Sequence, residues 1–246
     1  MEPTAARTAS EPKSAASIAA SLTALRNLGV RDRSLFSAIL HSVLEANPGI
    51  LGVWSVWEPN ALDARDHVFR NAPGHDQSGR FVPYWHRGDG APKLDPVTDY
   101  EKPGTGYWYW IPKKHRQLCA TEAYDYPVGR HRRWITSEIA PILEEGRCVG
   151  VVGIDHLAES QLPLDPAAAR NSDKSVPSVH VLGEGSDKLS LLTNREREVH
   201  YWLSQGKSNE EIGIILGISA HTVKNHLERI FQKLGVENRY AAALTQ

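Results

Sequence analysis

Ala220-His221-Thr222-Val223-Lys224-Asn225-His226-Leu227-Glu228-Arg229-Ile230-Phe231-Gln232-Lys233-Leu234 reads as one amphipathic helix. At about 100° per residue, Val223, Leu227, Ile230, Phe231 and Leu234 fall within an arc of roughly 100°, the stripe to be buried. The opposite arc holds His221, Asn225, Arg229 and Gln232, with Thr222, Lys224 and Lys233 on its flanks. These side chains suit DNA: Asn pairs with adenine, Arg with guanine, and Lys and Thr with backbone oxygens. Glu228, the one acidic member, can accept from cytosine or pair with a neighbour.

The surrounding residues punctuate three more helices. Thr193-Asn194-Arg195-Glu196 has capping-box spacing: the Thr hydroxyl accepts from the third helical N–H while the Glu reaches back. Ser208-Asn209-Glu210-Glu211 repeats that chemistry. Gly206, Gly217 and Gly235 stand where helices end, and Asn238 can cap a fourth, Arg239–Thr245. Four short helices, with Gly217-Ile218-Ser219 as a tight turn between the second and third, make a helix-turn-helix. The candidate DNA contacts are Ser208, His221, Thr222, Lys224, Asn225, Glu228 and Arg229.

The run from Leu192-Thr193-Asn194-Arg195-Glu196-Arg197-Glu198-Val199 through Thr222-Val223-Lys224-Asn225-His226-Leu227 to Lys233-Leu234-Gly235-Val236 closely resembles the LuxR-type (GerE-like) DNA-binding domain. The resemblance implies that the third helix enters the major groove of double-stranded DNA. It also implies a dimer contact on the fourth, for which Ala241, Ala242 and Leu244 are available. Gly213 departs from the Ala common in that family, and a Gly costs a helix interior roughly 1 kcal/mol. Residues 187–246 carry eight Lys and Arg against seven Asp and Glu, a net of +1. One module so weakly charged should bind DNA weakly, so a homodimer on paired half-sites is expected.

Upstream the pattern changes. Residues 1–14 are small and polar and read as a disordered tail; 15–158 read as a sensor domain, 159–187 as a Pro- and Ser-containing linker, and 188–246 as the DNA-binding domain. Ile18, Leu22 and Leu25 form one helical stripe and Leu35, Ile39, Val43 and Leu44 another, with a break at Asn27–Arg33. These helices are the expected dimer surface of the sensor. Ile50–Trp57 reads as a strand. Residues 60–106 read as a long structured loop region with short helical pieces. Trp134–Leu143 and Arg147–Asp155 form a hairpin around Glu144-Glu145-Gly146. The chain therefore reads as a mixed α/β domain, a linker and a short all-α module of four helices.

Composition removes several classes. No apolar run approaches the roughly 18 residues of a membrane span, and the first residues lack the apolar core of a secretory signal. The 246 residues include only two cysteines, Cys119 and Cys148, which suits a reducing cytoplasm. Eleven histidines show none of the short spacings of strong metal sets, so no metal is expected. There is no Gly-x-Ser-x-Gly elbow and no phosphate loop. We therefore expect no catalytic residues, no enzymatic activity and no cofactor.

The input end resembles Cache-type sensor domains of bacterial chemoreceptors. The motifs are Val53-Trp54-Ser55-Val56-Trp57-Glu58-Pro59-Asn60-Ala61-Leu62-Asp63, Asn71-Ala72-Pro73-Gly74-His75-Asp76 and Gly79-Arg80-Phe81-Val82-Pro83-Tyr84-Trp85. Glu122-Ala123-Tyr124-Asp125-Tyr126-Pro127-Val128-Gly129 and Val149-Gly150-Val151-Val152-Gly153-Ile154-Asp155 belong to the same resemblance. It implies the fold class α+β, a PAS-like antiparallel sheet with long helices ahead of the all-α four-helix domain, with a small ligand between sheet and loops. It also assigns Asp155 to the ligand's amine or N–H group. The chain departs from amino-acid-binding members, which carry an Arg before a Trp-Tyr pair, whereas Gly106-Tyr107 precedes Trp108-Tyr109 here. Arg80, Lys113, Arg130 and Arg133 are the candidate substitutes.

Seven Trp and eight Tyr against four Phe favour stacking on a heterocycle or enclosing a cation. Trp54, Trp57, Tyr84, Trp85, Trp108, Tyr109, Tyr124, Tyr126 and Asp155 are the candidate ligand-binding residues. If Tyr107–Trp110 is a strand, at most about half of its aromatics face one pocket. The expected effector is an amine, an amino-acid derivative or a purine-like ring. Asp95-Pro96-Val97 followed by Trp108 is faintly similar to acyl-homoserine-lactone regulators, which makes a quorum-sensing regulator the alternative.

Overall fold

A computed structural model describes residues 14–102, 105–158, 177–182 and 188–244. Apart from Ser14, the expected tail lies outside them, as does most of the expected linker. Helices α1 (Ala15–Asn27) and α2 (Arg33–Ala46) form on the two apolar stripes. The Ser14 hydroxyl caps the first by accepting from the Ser17 N–H, and the Asp32 carboxylate caps the second from Ser34 and Leu35.

The strands are β1 (Gly52–Trp57), β2 (Pro83–His86), β3 (Lys93–Pro96), β4 (Cys119–Thr121), β5 (Tyr124–Val128), β6 (His131–Glu144), β7 (Arg147–Leu157) and β8 (Val179–Val181). They pair antiparallel in the order β3-β2-β1-β7-β6-β4-β8, with β5 on β6 beside β4. The β6–β7 hairpin turns at Glu145 and Gly146, whose φ values of +50° and +75° match a two-residue turn with both centres left-handed.

Four features differ from the sequence reading. Residues 60–106, read as a structured loop region with short helical pieces, contain two strands of the sheet, β2 and β3, each only four residues long and so too short to show a period. Tyr107–His115 is a helix, α3, rather than a strand. Its four aromatics therefore spread around a helical surface instead of alternating between two faces. β8 lies inside the expected linker and adds an edge strand to the sheet through β4. β4 and β5 were not anticipated: the first has three residues, too few to show a period, and the second contains Pro127.

The sheet separates two cores. On one face α1 and α2 bury Leu22, Phe36, Leu40 and Leu44 against Val53, Trp57, Val152 and Ile154. On the other, α3 and the loops pack Trp54, Tyr84, Trp108, Tyr124, Tyr126 and Val151. The expected dimer surface is narrowed here. Leu22, Leu40 and Leu44 are fully buried against the protein's own sheet, because a one-sided apolar helix covers the sheet face before anything else, whereas Leu35 is 42% exposed.

The third core belongs to α4 (Asn194–Ser204), α5 (Asn209–Leu216), α6 (Ala220–Leu234) and α7 (Arg239–Leu244). Both capping boxes are formed. Val223, Leu227, Ile230 and Leu234 are buried, and Phe231 packs half-buried beside them. A Cβ on Gly213 would stand 2.7 Å from the Ile218 carbonyl oxygen, so the missing side chain lets α5 close on the turn before α6. No helix among the described residues is long and apolar enough to cross a membrane.

Candidate functional site

Register builds the sensor site. Gly52 and Ser137 are both paired with Asp155, and Trp54 is paired with both Tyr84 and Gly153. Residues directly opposite in a sheet share a face, so adjacent strands deliver a carboxylate, a hydroxyl and two aromatic rings to one spot. Gly153 and Gly52 make room for the rings. A Cβ on Gly153 would lie 2.2 Å from the Trp54 indole, and one on Gly52 would lie 2.4 Å from the Tyr84 ring. Gly153→Ala should therefore displace Trp54 and break its bond to Asp155. A rise in Trp fluorescence accessibility to iodide would show it; an unchanged indole environment would refute it.

Asp155 is 1% exposed, and its Oδ1 accepts from Trp54 Nε1 at 2.9 Å and from Ser137 Oγ at 2.7 Å. Ser137 is held in turn by its N–H on Thr121 Oγ1 at 2.8 Å and by Tyr124 OH at 3.1 Å. Burial pushes the Asp155 carboxyl up, more than the bonds from Trp54 and Ser137 and the nearby Tyr84 hydroxyl hold it down. Burial and the neighbouring carboxylate likewise keep the Tyr84 and Tyr124 phenols protonated.

Trp54, Tyr84, Val97, Trp108, Tyr124, Tyr126 and Asp155 enclose a cavity of about 10 Å³. Trp54 meets Trp108 edge-on at 4.7 Å, and Tyr126 meets Trp108, Tyr124 and Tyr84 at 6.3, 5.9 and 6.4 Å. The Trp108 indole N–H is buried in this wall without an acceptor among the described residues.

Six of the nine candidate ligand residues thus come together: Trp54, Tyr84, Trp108, Tyr124, Tyr126 and Asp155. Three do not. Trp57 is an odd number of residues from Trp54 along β1, so it faces the helices, packed edge-on against Phe36. Trp85 also faces the helices, donating to Ser37 Oγ at 2.9 Å beside His41. Tyr109 lies behind Trp108, and its hydroxyl donates to Glu58 and accepts from Arg80.

Two candidate substitutes for the Arg clamp are engaged in that same cluster. Arg80, 3% exposed, donates to the Trp57 carbonyl, to Glu101 at 2.7 Å and to Tyr109. Lys113 reaches Glu58 at 2.7 Å. Both hold α3 against the end of β1 instead of lining the cavity. Arg130 pairs with Asp89 at 3.5 Å, and both it and Arg133 are exposed. Val97 completes the cavity; only its place between two loop-like stretches could have suggested it. Cys119 and Cys148 are not joined by a disulfide, and burial pushes the Cys148 thiol up.

The second site is α6. His221, Lys224, Asn225, Glu228 and Arg229 are exposed along one side, and Thr222 is half-buried with its backbone N–H on the Ser219 cap. Lys224 and Glu228 approach to 4.0 Å, an exposed i,i+4 pair that DNA can readily separate. Lys233 turns away and pairs with Glu196 at 2.6 Å. Ser208 caps α5, its hydroxyl accepting from the Glu211 N–H. Ala242 is fully buried, and its carbonyl accepts from His200 at 2.7 Å, so it is withdrawn from the expected dimer contact. Tyr240 on the same helix is 81% exposed. The Leu244 side chain lies outside the described residues.

The profile of the family described as "Bacterial regulatory proteins, luxR family" matches residues 190–245, the whole of the exposed helix and its supports. This segment is a LuxR-type DNA-binding domain. Relatives of the LuxR-type domain include the transcriptional activator protein AhyR of Aeromonas hydrophila, 40% identical over 88 residues, which are 36% of this chain and 34% of AhyR. The nitrate/nitrite response regulator protein NarP of Escherichia coli is 42% identical over 64 residues, 26% of this chain and 30% of NarP.

Upstream of the LuxR-type domain the similarity is to sensors. The methyl-accepting chemotaxis protein TlpQ of Pseudomonas aeruginosa is 34% identical over 128 residues, 47% of this chain and 18% of TlpQ. The extracellular domain of mmHK1S-Z3, described as a histidine kinase, superposes with a TM-score of 0.52 at 31% identity, covering 58% of this chain and 49% of that one. The chain thus spans a fifth to a third of the curated relatives it matches. A Cache-like antiparallel sheet joined to a LuxR-type domain is the architecture.

Proposed function

We propose that the chain is a ligand-responsive transcription regulator acting in the cytoplasm, in which a small nitrogenous metabolite in the Asp155 cavity changes DNA binding by the LuxR-type domain. The position of α3 carries this reading. Trp108 on α3 forms a wall of the cavity. From the same helix Tyr107 and Trp110 meet Tyr201 of α4 at 6.3 and 5.9 Å, and Lys114 reaches Ser204 at 3.1 Å. A movement of one short helix is felt on both sides.

The chemistry of the wall favours an effector with an ammonium or N–H for Asp155, a lone pair for Trp108 and a flat or cationic body for the aromatic rings. An amine, an amino-acid derivative and a purine-like ring all meet that description. The buried carboxylate and the aromatic, hydroxyl-bearing wall favour these over the long apolar tail of an acyl lactone. A cavity of about 10 Å³ holds roughly one water centre, so any metabolite must push the walls apart, and Trp108 is the wall on a movable helix. Binding then biases a pre-existing equilibrium in how α4 is held.

DNA recognition is assigned to α6 in a homodimer on two half-sites. Asn225→Ala or Arg229→Ala should each cost about 1–3 kcal/mol on the preferred operator and relax discrimination at one position. Lys224→Ala should weaken all DNA alike and flatten the salt dependence by about one unit of slope. Fluorescence anisotropy against matched and scrambled duplexes distinguishes the two patterns. For the sensor, a thermal-shift screen of amines, amino acids, purines and acyl lactones on the full chain identifies ligands, which are then added to the anisotropy assay. Ligands that stabilise the chain yet leave DNA affinity unchanged would defeat the regulator reading.

A further inference from the structure

The Asp155 cavity and α6 leave a third concavity unused, and its charge is the opposite of the first. It lies where α3 and β8 of the sensor face α4 of the LuxR-type domain. Tyr107, Ile111, Lys114, Val179 and Tyr201 wall a cavity of about 60 Å³. Lys114 and Tyr201 also line an open cleft of about 420 Å³, which extends to Trp110, Arg116 and Arg147. Among the described residues no carboxylate lines either part.

The cations there are poorly balanced. Lys114 is half-buried, and its ammonium has a hydroxyl, Ser204 Oγ at 3.1 Å, as its hydrogen-bond partner. Burial holds its pKa down with nothing offsetting it. Arg116 and Arg147 are exposed at the mouth and lie in no ion pair among the described residues. Lys113 is already paired with Glu58. The floor is aromatic, with Trp110 and Tyr201 tilted 49° to each other at 5.9 Å. A half-buried ammonium in a cleft that Trp110 and Tyr201 also line, with two guanidinium groups at the entrance, suits an acid group on a flat apolar body.

We propose that this cleft is a second effector site, taking a small aromatic carboxylate whose acid group pairs with Lys114 and whose ring packs on Trp110 and Tyr201. Because its walls belong to two domains, occupancy clamps α4 onto α3, the helix that also walls the Asp155 cavity. The molecule then reads two signals of opposite charge through the same helix.

Isothermal titration of the full chain with 1-naphthoate, and with 1-naphthylmethylamine as the cation of similar shape, tests this. Wild-type protein should bind the naphthoate, Lys114→Met should weaken it at least tenfold, Arg147→Gln should weaken it by a smaller factor, and Asp155→Asn should leave it unchanged. Lys114 is only half-buried and Arg147 exposed, so both variants should fold, and their thermal melts check that. Wild-type protein that takes no naphthoate overturns the proposal, as does a Lys114→Met protein that binds it as tightly as wild type. Naphthoate binding lost in Asp155→Asn would place the anion in the other cavity and overturn it too. Failure of the amine to bind leaves this proposal standing and counts against the Asp155 reading alone.

Discussion

Asp155→Asn should abolish the response to a cationic effector while leaving the protein at least as stable near neutral pH. The reasoning begins with the direction of the carboxyl's shift. Burial raises its folded-state pKa above the unfolded value, so the native state binds the proton more tightly. Stability from this group is therefore fully present below the unfolded pKa and falls as pH rises through the folded one. Asn keeps an oxygen for Trp54 and Ser137 and carries no charge, so the loss at higher pH disappears. Ligand binding moves the other way: an ammonium needs the ionised carboxylate, so wild-type affinity should weaken as pH drops through the raised pKa. Urea unfolding at pH 5, 6, 7 and 8, run beside ligand titrations, checks both halves. An Asn variant that unfolds more readily at pH 8 than wild type would show that the charge contributes to the fold instead of opposing it.

The second large effect is expected at Arg80. Burial works against its charge, and the oxygens of Tyr109, Tyr100 and Glu58 more than offset that, so the guanidinium is held firmly protonated. It lies over the rings of Tyr100 and Tyr109, at 4.8 and 5.2 Å from their centroids. Arg80→Met would keep much of the volume and strand the buried Trp57 carbonyl, while Glu58 keeps Lys113 and the Tyr109 hydroxyl. Leaving such a buried acceptor unsatisfied costs about 1–3 kcal/mol. For a domain of this size that corresponds to roughly 2–12 °C in melting temperature. α3 would lose one of its anchors to β1, so DNA affinity should also depend less on ligand. A loss well below about 1 kcal/mol would mean that Arg80 is not holding the helix.

The C-terminal domain was legible almost residue by residue because its signals are local. A capping box is complete within four positions, and a 15-residue helix shows its stripe without reference to anything else. The β6–β7 hairpin was legible for the same reason. The sensor site was half legible: Asp155, Trp54 and Trp108 were named, yet Trp57 and Trp85 were named with them. What sorts these rings is the side of a strand each occupies, and a sheet with helices on one face and loops on the other is apolar on both. Gly153 and Gly52 were stronger pointers than the aromatic count, since each marks where a ring lies on the sheet. The run Tyr107–Trp110 was ambiguous because aromatic residues favour strands as readily as they fill a buried helix.

The short strand β8 sets a limit on reach. Val179–Val181 is fixed to β4, and the Leu182 N–H donates to the Leu118 carbonyl at 2.7 Å, so the chain is still tied to the sheet at residue 182. The six residue steps from there to Lys188 can extend at most about 20 Å. The DNA-binding module is thus on a short leash, and its local concentration near the sensor is correspondingly high. In the proposed homodimer, the permitted distance between operator half-sites would be dictated by the sensors, with little slack to accommodate an added half-turn of DNA. Lengthening the leash, with every DNA contact left intact, is then the simplest way to broaden the set of operators the protein accepts.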